Sequence, residues 1–207
     1  STDGAFAEFV KIDSRYIWSI EPLRGLYEGE NLFLAGSLVE PTSVAYTAVV
    51  ERGGGIRPGD KVVICGGGPV GVAACAIMKR QGASVVIISE PEEARAQLGL
   101  EMGADYAINP LKESFSEKVL DLTHGMGADL YLEATGLPTI VYPQIEQAVW
   151  LGRTLNATIV VVARADAKMP VTGEVLQVRR ANIVGSHGHS GPGTFPRVIE
   201  CMADGMD

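Results

Sequence analysis

The chain has 207 residues, 46% of them apolar, and its 25 acidic residues outnumber its 17 basic residues to give a net charge of −8. This is the composition of a soluble globular protein, and an acidic chain without a basic cluster argues against nucleic acid and anionic membranes as partners. The chain also lacks an unbroken apolar run of the roughly 20 residues that a membrane span requires. Its three cysteines lie far apart without a CxxC pair, which argues against a disulfide framework or a structural zinc knot and indicates a reducing cytoplasm.

The N-terminal part of the chain reads as short strands followed by one helix. Residues 5–20 form two strand-like pieces, AFAEFVKI and YIWSI. Residues 35–52 predict a buried helix that stops at the hinge-like glycines 53–55. Because the chain begins at Ser1 within strand-like sequence and stops after GMD, we interpret it as a fragment of a longer protein.

Glu40 stands out inside the predicted helix, where small and apolar residues surround it. A buried carboxylate without a partner is costly, or it gives up its charge. We therefore expect Glu40 either to have a partner or to face a cleft. A helix cap or an ion pair with Arg52 or Arg57 is the structural alternative.

From Asp60 onward the sequence alternates regularly between apolar strands and helices. The predicted strands are KVVIC (61–65), SVVIIS (84–89), YAIN (106–109), DLYLEA (129–134), TIVVVA (158–163) and ANIVGS (181–186), and the predicted helices span 69–82, 91–103, 114–124, 138–151 and 195–205. Continuous Val/Ile runs indicate strands that are covered on both faces, as in a parallel sheet wrapped by crossover helices. The pattern predicts an α/β fold with a doubly wound parallel sheet, a Rossmann domain that binds a dinucleotide.

The segment GGGPVG at residues 66–71 fits the pattern G-x-G-x-x-G, follows an apolar strand and opens a helix. Gly66 suits a tight turn, Gly68 leaves room for a pyrophosphate, and Gly71 lets helix and strand pack closely. The phosphates would meet the free N–H groups at the positive end of the helix dipole. The predicted cofactor-binding residues here are Gly66, Gly68, Pro69, Val70 and Gly71. A purely structural glycine turn is the alternative.

Glu90 lies at the end of the second predicted strand, about 20 residues after the glycine segment. Its carboxylate can accept hydrogen bonds from the ribose hydroxyls and would repel a 2′-phosphate. Residues 91–93, Pro-Glu-Glu, supply no Arg or Ser for such a phosphate, so NAD is favoured over NADP. Arg95 is predicted to lie against the adenine edge.

Several blocks of the sequence together resemble a known family. DGAFAEFVKI, SLVEPTSVAYTAV and GGGIRPGDKVVICGGGPVG are similar to the zinc-dependent medium-chain dehydrogenases, on the sorbitol and threonine dehydrogenase branch. EATGLP, VVARADAKMP and RRANIVGSHGHSGPGTFPRVI resemble more narrowly the dehydrogenases of inositol breakdown. The resemblance covers all 207 residues.

The resemblance implies a division into domains and a place for zinc. Residues 1–34 would be the end of a GroES-like β catalytic domain, 35–55 the connecting helix, and 56–207 the NAD-binding Rossmann domain, truncated at its C-terminus. In the polyol branch a Glu on the connecting helix stands at the catalytic zinc, directly or through water. Glu40 matches that position, and the other zinc ligands would precede this chain.

Further site residues follow from the resemblance. Thr135 and Ala163 align with segments whose backbone contacts the nicotinamide ribose and carboxamide. His187 and His189 follow the sixth strand on a Gly-rich loop, where hydrogen bonding to a polyol is expected of His187. Two histidines two residues apart could indicate a metal, but a third ligand is not nearby. Glu133 is interpreted as solvated or related to the fold.

The implied function is an NAD-dependent and zinc-dependent oxidation of a secondary alcohol of a cyclic polyol or inosose. Zinc would act as a Lewis acid that favours the alkoxide, and hydride would pass to the nicotinamide. The family implies a homo-oligomer, a dimer or tetramer built through the edge of the sixth strand. The 207-residue piece alone is expected to bind NAD weakly, to hold no stable zinc and to be inactive.

Three alternatives remain open from the sequence. A dehydrogenase of threonine, sorbitol or another secondary alcohol belongs to the same branch. A Rossmann module that binds or senses NAD without chemistry is a different class of protein. A zinc-free quinone or enoyl reductase is disfavoured by Glu90, because those enzymes mostly use NADPH.

Overall fold

The computed structural model describes residues 7–189 and 193–206, which contain one six-stranded parallel sheet. The strands are β1 (Lys61–Cys65), β2 (Val85–Ser89), β3 (Tyr106–Ile108), β4 (Leu130–Glu133), β5 (Thr158–Val161) and β6 (Asn182–Gly185). Their order across the sheet is β3-β2-β1-β4-β5-β6. The predicted doubly wound α/β fold is therefore confirmed, and all six strands fall where the sequence predicted them.

Helices cover both faces of this sheet. They are α1 (Glu30–Tyr46), which continues as a π-helical turn (Thr47–Arg52), α2 (Pro69–Arg80), α3 (Glu93–Glu101), α4 (Phe115–Leu122), α5 (Pro138–Leu151), α6 (Gly173–Arg179) and α7 (Thr194–Ala203). Two short 3₁₀ turns, Ser14–Tyr16 and Glu21–Gly25, precede them. Helices α1, α2, α3 and α7 lie on one face and α4, α5 and α6 on the other.

Apolar side chains on both faces of the strands explain this layering. Alternate residues of one strand enter different cores: Val62 and Ile64 pack towards α1 and α2, whereas Val63 packs towards α4 and α5. Val62 pairs in register with Val86 of β2 and with Leu130 of β4. Because the central strands β1, β2 and β4 are covered on both faces, their apolar runs are continuous rather than alternating.

The N-terminal segment departs from the prediction. Within residues 7–20 the structure contains no strand; the segment holds the first 3₁₀ turn and is otherwise irregular. A strand needs a neighbouring strand to satisfy its backbone N–H and C=O groups, and the sheet described here ends at β3 and β6. The strand prediction for AFAEFVKI and YIWSI is thus wrong for the described residues.

Two helices also differ from the prediction. Helix α1 begins at Glu30 rather than at residue 35 and runs through Pro41, which removes one donor without ending the helix. Helix α6 was not predicted from the sequence. It has seven residues, too few to show a clear helical period.

One helical stretch, Glu30–Arg52, is long and apolar enough to cross a membrane by length and composition alone. The core helix of a soluble protein passes the same test. In this fold α1 packs against α2 and α7, and Leu32, Ala35 and Val39 are buried there. The packing is that of a core helix.

Candidate cofactor-binding site

The turn between β1 and α2 lies at the centre of the sheet, where β1 has β2 on one side and β4 on the other. Crevices form at such a switch point beyond the carboxyl ends of the strands. Gly66 has φ +107°, a left-handed value that suits glycine, and its N–H donates to the Ser89 carbonyl at 2.9 Å. The tight turn predicted at Gly66 is present.

The remaining glycines of the pattern have distinct surroundings. A Cβ placed on Gly68 would meet nothing within 4 Å, so this position opens onto free space. A Cβ on Gly71 would lie 1.9 Å from the Gly66 carbonyl oxygen, an overlap of atoms. Pro69 and Val70 begin α2, where the first N–H groups of a helix lack intrahelical acceptors. The turn therefore combines open space, free donors and close helix–strand packing.

Glu90 is fixed against the glycine turn. Its side chain is 6% exposed, and its Oε2 accepts a hydrogen bond from the Gly67 N–H at 2.6 Å. Its Oε1 accepts from the Glu92 N–H at 2.9 Å. Each oxygen keeps a further lone pair, so the carboxylate can still accept from a ribose hydroxyl.

Gly67 is a site residue that the sequence analysis missed. A Cβ at this position would lie 2.9 Å from Cγ of Glu90 and 3.1 Å from Cβ of Arg95. The absence of a side chain therefore lets Glu90 approach the turn closely. The signal was present in the middle glycine of GGG, at a position that the pattern leaves free.

A cavity of about 360 Å³ lies in this crevice. Its walls come from the glycine turn, from the ends of β2 and β3, and from the segment that leads from β4 into α5. Residues that line it include Gly66, Gly68, Glu90, Arg95, Leu111, Thr135, Leu137 and Ile140. The size and the apolar rim around a few polar groups are typical of a small-molecule site. Thr135 thus shares one cavity with Glu90 and Arg95, and its contact with the nicotinamide ribose stays a prediction.

Glu133, at the end of β4, is completely buried, so of its two interpretations, solvated or related to the fold, the structure agrees with the second. Its Oε1 accepts hydrogen bonds from the N–H of Thr135 at 2.9 Å, from the Thr135 hydroxyl at 2.5 Å and from the N–H of Gly136 at 3.1 Å. The hydrogen bonds of this turn could not be predicted from the sequence, because they depend on which way the Glu133 side chain points.

Ala163 and His187 lie outside the lining of this cavity. The N–H of Ala163 donates to the Glu133 carbonyl at 3.3 Å, so Ala163 adjoins the segment after β4. His187 is exposed. Their roles at the nicotinamide and substrate stay predictions, and Ser190–Pro192 of the same loop lie outside the described residues.

His189 belongs to an aromatic stack instead. Its ring meets the edge of Phe195 with centroids 4.5 Å apart, and Phe195 stacks on Trp18, also at 4.5 Å. Trp18 therefore packs the N-terminal segment against α7.

Glu40 is exposed on α1, which corrects the expectation of a buried acid. The helix is buried on one side only: Val39, Thr42 and Ser43 face the core, and Glu40 faces outward. Arg52 donates to the Gly185 carbonyl at 3.0 Å, so its guanidinium is engaged elsewhere. Among residues 7–189 and 193–206, no group of three or more His, Cys, Asp or Glu side chains could hold a metal. These residues alone do not make a zinc site, and Glu40 as a ligand stays a prediction.

Helix α1 nevertheless borders the cofactor crevice. Pro41 and Thr42, which follow Glu40, line a second cavity of about 470 Å³ whose opposite wall includes Gly67 and Gly68. The glycine turn therefore separates this cavity from the one that Glu90 lines. Glu40 precedes these two residues on α1 and is not among the residues that line either cavity.

Comparison with protein families places most of the chain in one group. The model described as "Zinc-binding dehydrogenase" matches residues 69–204. Scyllo-inosose 3-dehydrogenase of Thermotoga maritima is 67% identical over 207 residues, which are 100% of this chain and 52% of that protein. L-threonine 3-dehydrogenase of Pyrococcus horikoshii is 35% identical over 156 residues, 73% of this chain and 41% of that protein. The chain spans about half the length of the curated relatives it matches.

Solved structures agree with this grouping. A Thermotoga maritima structure, described as that of an alcohol dehydrogenase, superposes with a TM-score of 0.96 at 67% identity and covers 99% of this chain and 52% of its own. The 2R,3R-butanediol dehydrogenase of Bacillus subtilis superposes with a TM-score of 0.70 at 27% identity, covering 82% of this chain and 46% of its own. The resemblance proposed from the sequence blocks is confirmed.

Proposed function

The chain belongs to the zinc-binding dehydrogenase family, and from this premise we propose that the intact protein oxidises a secondary alcohol of a cyclic polyol or inosose. The observation that carries the proposal is the 67% identity to scyllo-inosose 3-dehydrogenase over the whole chain. The substrate would be a small molecule. Its oxidation would break the C–H and O–H bonds of the carbinol group and form C=O, with the hydride passing to the nicotinamide cofactor and the proton to solvent.

We propose NAD as that cofactor. The glycine turn supports it, because Gly68 leaves open space beside the free N–H groups of α2 where a pyrophosphate fits. Bound NAD supplies the hydride acceptor. The protein's own residues bind the dinucleotide, orient it across the crevice and keep water from its reactive end.

Glu90 supports NAD rather than NADP. Both its oxygens are held by backbone donors, so the carboxylate cannot swing away from a ligand without breaking two hydrogen bonds. A 2′-phosphate would bring a second negative charge against it in a buried site, where charge repulsion is strong. Ribose hydroxyls, in contrast, donate to it.

For zinc, the proposal is limited to Glu40. Its exposed carboxylate, on the helix beside the glycine turn, is proposed to contribute to the coordination together with ligands that the described residues do not supply. Carboxylate oxygen is an accepted zinc ligand in catalytic sites. His187 is proposed to hydrogen-bond a polyol from the loop after β6.

Assembly and location are further proposals from the family. Strand β6 forms one edge of the sheet and is partly exposed, which suits pairing with a second copy into a dimer or tetramer. A cytoplasmic location is proposed from the cysteine usage, and the free thiols of Cys65, Cys75 and Cys201 are compatible with it.

A second candidate is oxidation of threonine or another simple secondary alcohol. The 35% identity to L-threonine 3-dehydrogenase favours it, although over a smaller share of the chain. A non-catalytic NAD-binding module is the candidate from another class, and it would bind NADH without turnover.

The test is NADH formation by the full-length protein with scyllo-inosose, myo-inositol, sorbitol and threonine, each with NAD and with NADP. The proposal expects turnover that is selective for an inosose or inositol and prefers NAD. Selective turnover of threonine would establish the second candidate. Tight NADH binding without turnover of any of the four would leave the non-catalytic module.

A further inference from the structure

Glu133 organises the turn between β4 and α5 through one carboxylate oxygen. Oε1 accepts two backbone N–H groups and one hydroxyl, from Thr135 and Gly136. The Thr135 hydroxyl oxygen in turn accepts the Leu137 N–H at 3.0 Å. Three successive N–H groups are thus satisfied by one small network immediately before α5 begins at Pro138.

The other oxygen of Glu133 tells against a purely stabilising role. Oε2 is buried and has no hydrogen-bond partner among the described residues. A buried acceptor without a partner lowers stability, so a side chain serving stability alone would be expected to satisfy both oxygens. What Glu133 provides is the conformation of the turn, including the left-handed Gly136 at φ +73°.

This turn is a wall of the cofactor cavity. Thr135 and Leu137 line the same cavity as Glu90 and Arg95, whereas Glu133 is not among the residues that line it. Glu133 lies behind this wall, in β4, where it pairs in register with Cys65 at the end of β1. It therefore acts on a ligand through the Thr135–Leu137 segment.

We propose that Glu133 is a positioning residue for the dinucleotide, which it serves by fixing the Thr135–Leu137 wall opposite Glu90. The inference rests on the proposed binding of NAD. Glu90 marks the ribose next to adenine, so the Leu137 end of the wall that shares its cavity faces the adenosine half of the cofactor, while Thr135 at the other end remains predicted at the nicotinamide ribose. ADP, which carries that half alone, is therefore a sufficient probe.

Glu133 also occupies the one group of backbone donors at this turn that could otherwise bind a phosphate. Successive backbone N–H groups in a turn form a concave seat for anions. At this turn the protein's own carboxylate occupies that seat. The glycine turn, where a Cβ at Gly68 would meet nothing within 4 Å, remains for the pyrophosphate.

Glu146 provides a matched control. Its carboxylate also accepts the N–H and the hydroxyl of a threonine, Thr172, at 2.7 and 2.8 Å. It lies on α5 beside Trp150, in a surface groove away from the cofactor cavity. Replacing it removes the same kind of hydrogen bonds without touching the proposed wall.

The experiment measures ADP and NADH affinity by calorimetry, with the thermal midpoint, for the full-length protein and its variants. Glu133→Ala is expected to weaken both ligands about tenfold. Glu133→Gln keeps an acceptor at Oε1 and is expected to stay within about threefold of wild type. Glu146→Ala is expected to bind ADP as wild type does. If Glu133→Ala does not fold, Thr135→Val replaces it, because valine keeps the shape and removes the hydroxyl from the network.

The outcomes separate the inference from the proposed function. Wild-type ADP affinity in Glu133→Ala, or in Thr135→Val when that variant is used, would overturn the inference while NAD binding stands. An equal loss in Glu146→Ala would overturn it too, because the loss would then follow general destabilisation. A wild-type protein that binds neither ADP nor NADH would overturn the proposed function and the inference together.

Discussion

The backbone N–H of Gly67 donates to Oε2 of Glu90 across 2.6 Å, which ties the glycine turn after β1 to the acid at the end of β2. The two residues come from neighbouring parallel strands that pair along their whole length, from Lys61↔Val85 to Cys65↔Ser89. The parts of the cleft that would meet the phosphates and the ribose are therefore held in one rigid arrangement before any ligand binds.

Glu90→Gln is expected to shift cofactor preference towards NADP. The amide oxygen can still accept from the Gly67 N–H, although the amide nitrogen cannot replace the oxygen that accepts from the Glu92 N–H. The negative charge that repels a 2′-phosphate is removed. The ratio of NADP to NAD affinity should rise at least about tenfold. Fluorescence titration with NADH and NADPH measures it. Glu92→Gln, which neutralises an exposed neighbouring acid, is the control, and an equal shift there would assign the effect to general charge.

Gly71→Ala is expected to destabilise the fold. Its Cβ would overlap the Gly66 carbonyl oxygen at 1.9 Å, and backbone on both sides must move to relieve the overlap. Overpacking of this kind costs at least about 2 kcal/mol. Urea unfolding followed by circular dichroism gives the free energy. A variant as stable as wild type would show that α2 is not held as close to β1 as described.

Gly68→Ala is expected to separate binding from folding. The added Cβ meets nothing within 4 Å and φ at Gly68 is −74°, so alanine fits the backbone without strain. The methyl group would occupy the open space proposed for the pyrophosphate. NADH affinity should fall at least about tenfold while the thermal midpoint stays within about 2 °C of wild type. Unchanged NADH affinity would show that the phosphates do not bind at this turn.

Glu40→Ala in the full-length protein is expected to lower turnover and zinc content without loss of stability. Glu40 is exposed, so its truncation removes no buried contact. If it contributes to zinc coordination, turnover should fall roughly 10- to 100-fold, the range seen when residues that support a metal site are removed. Metal analysis and initial rates provide the measurement. Glu30→Ala, an exposed acid on the same helix, should change neither; full activity in Glu40→Ala would return Glu40 to an ordinary surface role.

Stability is expected to fall at alkaline pH because of two buried thiols. Burial raises the pKa of Cys75 from 9.0 to about 12, and burial together with Glu133 raises the pKa of Cys65 further. Above pH 9 the unfolded chain loses these protons while the folded chain keeps them, so the unfolded state binds fewer protons and the free energy of unfolding decreases as pH rises. For Cys75 the decrease continues up to about pH 12.

The free energy of unfolding is expected to decrease by about 1.4 kcal/mol per pH unit for each thiol. Urea unfolding at a series of pH values above 9 measures it. Cys75→Ala should make the slope shallower, whereas Cys201→Ala, at a partly exposed position, should leave it unchanged. A flat profile in the wild type would mean that the thiols are already accessible to solvent.

The sheet could be predicted from the sequence because its strands are buried on both faces. A run such as Val62-Val63-Ile64 has one explanation in a soluble domain, and the glycines and helices that follow fix its partners. Residues 7–20 also contain β-branched and aromatic residues, but a strand requires a neighbouring strand, and the sequence pattern does not reveal whether one is present. The strands of the sheet could be predicted because they are buried, whereas residues 7–20 form no strand because they lack a neighbouring strand.

The site was predictable only where the chemistry is local in sequence. Gly66, Gly68 and Glu90 follow a spacing that the fold imposes, and the structure places all three in one cavity. Glu40, which was expected to be buried, is exposed, and Glu133, for which solvent exposure was one of two interpretations, is buried. The exposure of Glu40 depends on the rotation of α1 about its axis, and the burial of Glu133 depends on the conformation of the turn that follows it. Neither produces a periodic pattern in the sequence.

The stack of Trp18 on Phe195 gives the protein an optical reporter of its own. The chain has two tryptophans, and the other, Trp150, lies on α5 on the opposite face of the sheet, beneath the Arg179 guanidinium. Emission and near-ultraviolet dichroism from Trp18 therefore register the contact of the N-terminal segment with α7, and through His189 the position of the loop after β6. Trp150 serves as a fixed reference for the rest of the fold.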